Sequence, residues 1–222
     1  PNGYRVAVGE TTRNTRGGSD GLLVMADHSS GQVMAEVRLG GAKDDVLYAA
    51  VQTFDGRLLL AGATASAGKG ATDAWLLLVD ERGKPVWETT FGTSGKDACT
   101  HLLRLPDGSA VLAGYQDGQK NGDIWLARAD GQTLAWETQL GQSEFDNLRG
   151  LALATDGGLA FCGNTGKKAG TGSGDVYLAK TDNRGQLQWK KWFGEGSWEE
   201  ALDLIATRDG GFALAGLTKS KG

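Results

Sequence analysis

Short apolar runs alternate with glycine-containing turns along the whole chain of 222 residues. Each run has the length expected of a β-strand, roughly four to eight residues, and none shows sustained apolar spacing of helical period. Turns such as Asp55-Gly56 and Asp107-Gly108 separate the runs, and this dipeptide favours tight hairpins. The pattern therefore predicts an all-β protein with almost no helix.

The turns recur at a regular spacing. In five places an Asn-Gly or Asp-Gly turn begins seven residues before a second glycine, which we call the closing glycine. Successive closing glycines are 53, 52, 49 and 53 residues apart. They are Gly9, Gly62, Gly114, Gly163 and Gly216. A repeat of this length is typical of propellers and related arrays.

Each complete repeat predicts four antiparallel strands, A to D. In the second repeat these are Val46–Thr53, Arg57–Ala61 ending before the closing glycine, Asp73–Val79 and Val86–Phe91. The first repeat lacks strand A and the fifth ends after strand B, so seventeen strands are expected. Four short strands per repeat predict a β-propeller of four to five four-stranded blades, or a fragment of a larger ring. We assign residues 1–222 to one domain, with repeats at 1–45, 46–97, 98–146, 147–199 and 200–222.

The two ends of the chain leave ring closure open. In one account, strand A at Ala201–Thr207 completes the blade begun by residues 3–39. In the other, the chain is a piece of a larger ring with a partial blade at each end. The sequence favours neither account.

Large side chains and aspartates repeat at fixed positions. An aspartate opens each strand C, and Trp75, Trp125 and Tyr177 lie two residues after it. A tryptophan lies in strand D five residues before a glycine, as in Trp87, but Ala35 holds this position in the first repeat. Repetition in successive units predicts packing between blades, and an aromatic ligand site is the alternative. We expect the aspartates to bind backbone groups of the adjoining loop, and calcium binding is the alternative.

Composition narrows the classes of function. Glycine accounts for 36 residues and proline for only 3, which indicates many tight turns rather than disorder. The net charge of −4 argues against nucleic acid as the main partner, and no apolar run is long enough to insert in a membrane. Cys99 and Cys162 lie in different repeats without metal-ligand spacing, which predicts two unpaired, partly buried thiols.

These motifs together resemble the bacterial β-propeller repeat families. The shared elements are Asp-Gly-Gly-aromatic, Ala-Gly-x-Thr, Gly-x-x-Asp-x-Trp and Asp-x-x-Gly-x-x-x-Trp, and the likeness covers essentially the whole chain. Many members are secreted or surface proteins, so the resemblance implies an extracellular or cell-surface location. The motifs are structural, and they imply the fold rather than an activity.

A functional surface is expected on loops, because a rigid frame leaves its loops free to vary. The B–C and D–A loops lie on one predicted face and carry both signs of charge. Two aromatic residues break the repeat in neighbouring D–A loops, near basic residues, and aromatic and arginine side chains dominate binding hot spots. The alternative is that each aromatic shields its own loop. The candidate binding residues are Phe145, Trp198, Lys167, Lys168, Arg13 and Arg16.

The sequence contains no motif for catalysis, metal binding or a cofactor. His28 and His101 lie in different repeats, and no Ser/His/Asp set or phosphate loop occurs. We therefore expect a non-enzymatic scaffold or binding module for a protein or glycan partner. The alternative is a hydrolase or lyase with an acidic site at a mouth of the propeller channel. Association through the incomplete edge blades is a further expectation.

Overall fold

A computed structural model describes residues 3–117, 123–140, 146–165, 175–194 and 198–219. These residues form seventeen strands in antiparallel sheets, and no helix occurs among them. The expected all-β class and the strand count are confirmed. The chain forms two compact units: residues 1–112 with 130–133, and residues 113–129 with 134–222.

The first unit contains two sheets and the start of a third. Sheet I has three strands in the order β1-β2-β3, and sheet II has four in the order β4-β5-β6-β7. Their strands are β1 Tyr4–Thr11, β2 Asp20–Asp27, β3 Val33–Leu39, β4 Asp45–Gln52, β5 Leu58–Thr64, β6 Asp73–Val79 and β7 Pro85–Phe91. Sheet III has the order β8-β9-β10-β11, with β8 Asp97–Arg104, β9 Ala110–Gln116, β10 Asp123–Asp130 and β11 Thr133–Leu140.

The second unit contains sheets IV and V. Sheet IV has the order β12-β13-β14-β15, and sheet V pairs β16 with β17. Their strands are β12 Asp146–Leu153, β13 Leu159–Thr165, β14 Val176–Thr181, β15 Leu187–Phe193, β16 Glu199–Ala206 and β17 Phe212–Thr218. Strand β16 thus belongs to a two-stranded sheet with β17, and sheet I contains only β1, β2 and β3 in the described residues. The described sheets are therefore not closed by a pairing of residues 201–207 with sheet I.

The hairpin turns explain why Asp-Gly recurs. At the β4–β5 turn the Gly56 N–H donates to the Thr53 carbonyl, and Gly56 has a φ of 90°, which favours glycine. The aspartate before the glycine accepts a backbone N–H from two residues further on, as in Ser109 to Asp107 at 3.1 Å. Such side-chain bonds replace water at turn N–H groups and set the hairpin register.

The closing glycine has a different role from the one expected. Strand β5 continues past Gly62 to Thr64, so the expectation that strand B ends at this glycine is wrong. Gly62 lies opposite a register shift between Leu47 and Ala49 in β4. This bulge brings the Val46 carbonyl oxygen so close that a Cβ at position 62 would overlap it. Gly62 therefore permits close approach of two strands within the ladder.

The repeated large residues form the cores. Trp75, Trp125 and Tyr177 have relative exposures of 3%, 0% and 8%, as the packing interpretation predicted. In the first unit, Trp75 packs with Leu23 and Leu39 of sheet I and with Leu47 of sheet II. Each strand-C tryptophan also donates its indole N–H to a strand-D glutamate, at 3.0 Å from Trp75 to Glu88 and 2.9 Å from Trp125 to Glu137. Both buried indole N–H groups therefore have an acceptor.

Repeated acids join each sheet to the next element. Asp73 accepts the backbone N–H groups of Lys69 and Gly70 at 2.9 Å, which confirms the expected loop bonds. Asp97 donates its own N–H to the Thr72 carbonyl at 2.9 Å, and both carboxylates lie against Gly92. Each is buried, and Thr93 donates its hydroxyl to Asp97. Strand A begins at this acid, two residues earlier than the apolar pattern indicated, because these bonds already fix it.

Cys162 lies in the core of the second unit with Ala160, Val176 and Leu204. Burial raises the pKa of the Cys162 thiol to about 11, and the charge of Asp203 adds to the increase. Both cysteines are buried, and neither forms a disulfide.

We expect Cys162 to resist alkylation in the folded protein, since only the thiolate reacts and it is scarce at pH 8. Mass spectrometry after maleimide treatment should find position 162 unlabelled in buffer and labelled in denaturant. The Cys99→Ser variant removes the second thiol and isolates the signal. Rapid labelling of Cys162 under native conditions would contradict its described burial.

Candidate functional site

A groove between sheets I and II is the strongest candidate site in the described residues. Its volume is about 470 Å³. One wall is Val37 and Leu39 of β3, and the other is Leu77 of β6 with Pro85 of β7. Four cations surround this aliphatic channel, so we call it the arginine groove. They are Arg16, Arg38, Arg82 and Lys84.

The β6–β7 turn places two of the cations. Gly83 has a φ of 78°, and a Cβ there would lie only 2.7 Å from a methyl carbon of Val37. The turn can therefore press against sheet I only because position 83 is glycine. This contact holds Arg82 and Lys84, which flank Gly83, at the edge of the groove. Both residues are exposed.

The acids near the arginine groove are already bonded. Glu88 accepts the Trp75 indole N–H, and Glu36 accepts an Arg38 N–H at 2.6 Å. The Asp80 carboxylate accepts the backbone N–H groups of Lys84 and Arg82, and these bonds hold its pKa below the ordinary range.

Three cations remain without a side-chain partner. Within the described part of the chain, the side chains of Arg16, Arg82 and Lys84 form no ion pair and no hydrogen bond. The charges of Arg82 and Lys84 do contribute, from the same turn, to the lowered pKa of Asp80. The groove nevertheless presents more positive than negative charge, and it can bind an anion.

Sheet I lacks a strand-D tryptophan that, in the second unit, meets a turn glycine. In the second unit, Trp136 of β11 packs against Gly185, the glycine that matches Gly83 in its own C–D turn. The residue that matches Trp136 in sheet I is Ala35, which is too small to reach Gly83. Val37 contacts that turn instead, and the arginine groove remains beside it. Sequence reasoning noted Ala35 as an exception but did not connect it with a cavity.

The structure describes three of the six candidate binding residues. Arg16 lines the arginine groove, and the carbonyl of exposed Arg13 accepts the Arg38 Nε–H at 3.0 Å. Phe145, Lys167 and Lys168 lie outside the described residues, so their pairing with Trp198 stays a prediction. Sequence reasoning missed Arg38, Arg82 and Lys84, because they lie on a strand and a tight turn rather than on the longer loops.

Trp198 lies in the second unit with 37% of its surface exposed. The Lys219 ammonium lies 5.2 Å from its ring centroid, and the Lys219 N–H donates to the Trp198 carbonyl at 3.1 Å. One ring face is thus occupied by a residue of the same chain. This contact favours the shielding alternative for Trp198 over an anchor for a partner.

The described ranges of residues contain neither a cluster of metal ligands nor a membrane-spanning helix. No three side chains among histidine, cysteine, aspartate and glutamate converge there as metal ligands. No helix in those ranges has the length and apolar character needed to cross a membrane.

Comparison with known proteins supports the fold. No protein-family model matches the sequence. No curated protein matches it either. A solved structure, the hydrazine synthase of Kuenenia stuttgartiensis, is similar with a TM-score of 0.55 and 17% sequence identity. The match covers 85% of this chain and 47% of that one, so this chain spans about half the length of the matched structure. The fold is propeller-like. At 17% identity the similarity supports the fold and gives no information about the activity.

Proposed function

We propose that this chain is a non-enzymatic β-propeller module that binds a protein or glycan partner. The observation that carries the proposal is the arginine groove. It combines aliphatic walls with three cations that have no side-chain partner in the described residues. Small concave sites that mix apolar walls with a few charged groups are typical of binding sites. In the matching place of the second unit, Trp136 packs against the turn glycine.

The bonding of the acids supports a role without catalysis. Asp45 accepts the Gly41 N–H and the Ser66 hydroxyl, each at 2.7 Å, and Thr64 also donates to it. Asp73 and Asp97 are held in the same way by their loops. A general acid or base must be able to exchange a proton with a substrate. These three carboxylates are bonded within the frame, so we do not assign the hydrolase or lyase alternative to them.

Membership of the bacterial β-propeller repeat family is part of the proposal. The propeller-like fold and the repeated motifs support it, and the extracellular or cell-surface location follows from that membership. Association through edge strands is a further part. In the described residues no strand pairs with the outer edges of β1 and β17, and open edges recruit strands.

The test is partner capture by the immobilised protein and by its Ala35→Trp variant. An indole at position 35 should reach Gly83 and fill the arginine groove, as Trp136 meets Gly185. We expect any partner isolated from the native source to bind the variant at least tenfold more weakly, while the variant melts no lower. The Trp198→Ala variant serves as a control and should bind normally. Equal binding by Ala35→Trp, or turnover of a substrate at an acidic residue, would overturn the proposal.

A further inference from the structure

We infer that the arginine groove recognises an acidic peptide segment in an extended conformation. This inference rests on the binding function proposed above and narrows its partner to one class. It follows from three features of the first unit: the charges, the walls and the neighbouring strand edge.

The charges select an anion. Arg16, Arg82 and Lys84 all line the groove and have no side-chain partner among the described residues, so a ligand can engage them without first breaking an ion pair. Clusters of arginine and lysine are a recurring means of recognising acidic motifs. Arg38 adds a fourth cation, although its Glu36 pair would have to be shared.

The walls select a ligand with aliphatic side chains. Val37 and Pro85 line the groove with part of their surface exposed, and the buried Leu39 and Leu77 line it as well. The groove also lacks the exposed ring face on which a sugar would stack, since Trp75 is only 3% exposed and its indole N–H is bonded to Glu88. Charge beside aliphatic walls therefore favours a peptide of alternating acidic and branched apolar residues over an acidic glycan.

The neighbouring edge offers backbone hydrogen bonds. β3 is the outer strand of sheet I, and no described strand pairs with its outer edge. Val33 and Met34 of β3 are 56% and 63% exposed. An extended peptide can add to such an edge and direct alternate side chains into a pocket. The same strand then contributes both Val37 and Leu39 to the groove and the ladder that orients the ligand.

The experiment measures fluorescence anisotropy with labelled synthetic octapeptides. One alternates aspartate with leucine or valine, and its neutral counterpart carries asparagine in place of aspartate. We expect the acidic peptide to bind at least tenfold more tightly than the neutral one, with an affinity that falls as salt rises. The Arg82→Glu variant should lose about tenfold or more in affinity for the acidic peptide.

Arg184→Glu is the matched control. Arg184 precedes Gly185 in the equivalent turn of sheet IV, where Trp136 packs, so the same charge change there should leave peptide binding unchanged. Circular dichroism melts of both variants should coincide with the parent protein. This agreement separates a lost contact from a lost fold.

The outcomes separate the two levels of the proposal. Equal affinity for acidic and neutral peptides, or equal losses in Arg82→Glu and Arg184→Glu, would overturn the inference. An oligogalacturonate that binds where the peptide does not, and that Ala35→Trp excludes, would also overturn it while leaving the binding function standing. Failure of the peptide and the oligosaccharide alike overturns the inference, and partner capture then decides the proposed function on its own.

Discussion

Replacing Gly62 by alanine is expected to lower the free energy of unfolding by about 3 kcal/mol, because the new methyl group collides with backbone rather than with a movable side chain. The Val46 carbonyl and the Leu47 Cα are the atoms in the way. Both are held by the ladder between β4 and β5, so relief requires the bulge itself to shift. Urea unfolding followed by tryptophan fluorescence measures the change.

The chain contains its own control for this substitution. Gly9 occupies the same repeat position as Gly62, but no atom lies within 4 Å of a Cβ built there. Strand β2 pairs with one edge of β1, and no described strand pairs with the other, so the added methyl group at position 9 meets no partner backbone. We expect Gly9→Ala to alter stability by less than about 0.5 kcal/mol. Gly163→Ala should repeat the loss, because the Asn147 carbonyl lies against it in sheet IV. Similar values at positions 9 and 62 would refute the close-approach explanation.

Truncating Trp125 to alanine is expected to cost about 3 to 5 kcal/mol, the second large effect. Its ring is fully buried, and its loss leaves a cavity in the middle of β10. The truncation also removes the indole N–H that donates to Glu137. The Trp125→Phe variant loses the same donor but keeps much of the ring volume. The phenylalanine variant should therefore fall between the parent and the alanine variant in a chemical denaturation series.

Trp198→Ala is the matched truncation for this experiment. The same side chain is removed from a loop, where it is partly exposed and contacts the Lys219 ammonium. We expect a loss below about 1 kcal/mol, the size of a cation–π contact at an exposed site. A cost at position 198 equal to that at position 125 would show that the loop tryptophan is part of a core.

Much of the β-sheet framework could be predicted from the sequence, because residues that recur in each repeat meet the same packing and hydrogen-bonding requirement each time. The strand-C indoles, the Asp-Gly hairpins and the bond from Asp73 to its loop follow from local pattern alone. The predicted strand limits were less accurate than the predicted strand order. Hydrogen bonds at Asp97, for example, extend β8 beyond its apolar run. Strand β5 likewise continues through Gly62. A bulge in the partner strand explains that glycine, and the composition of β5 alone does not reveal the bulge.

The arginine groove was harder to predict. Arg16 was singled out from its loop, but Arg82 and Lys84 lie in a turn of the next repeat and line the same groove only through tertiary packing. The one local sign was Ala35, an alanine where later repeats have tryptophan. A missing large residue indicates a cavity only when the matching contact, Trp136 against Gly185, is known from another sheet.

The bulge at the start of strand A has a consequence for protein engineering. Tyr48, Arg149 and Leu202 each occupy the extra position of such a bulge, and each is left out of the ladder. A phenol, a guanidinium and an alkyl chain are thus tolerated at one equivalent position without altering strand pairing. These positions are natural attachment points for fluorophores or grafted recognition groups, one in each of sheets II, IV and V.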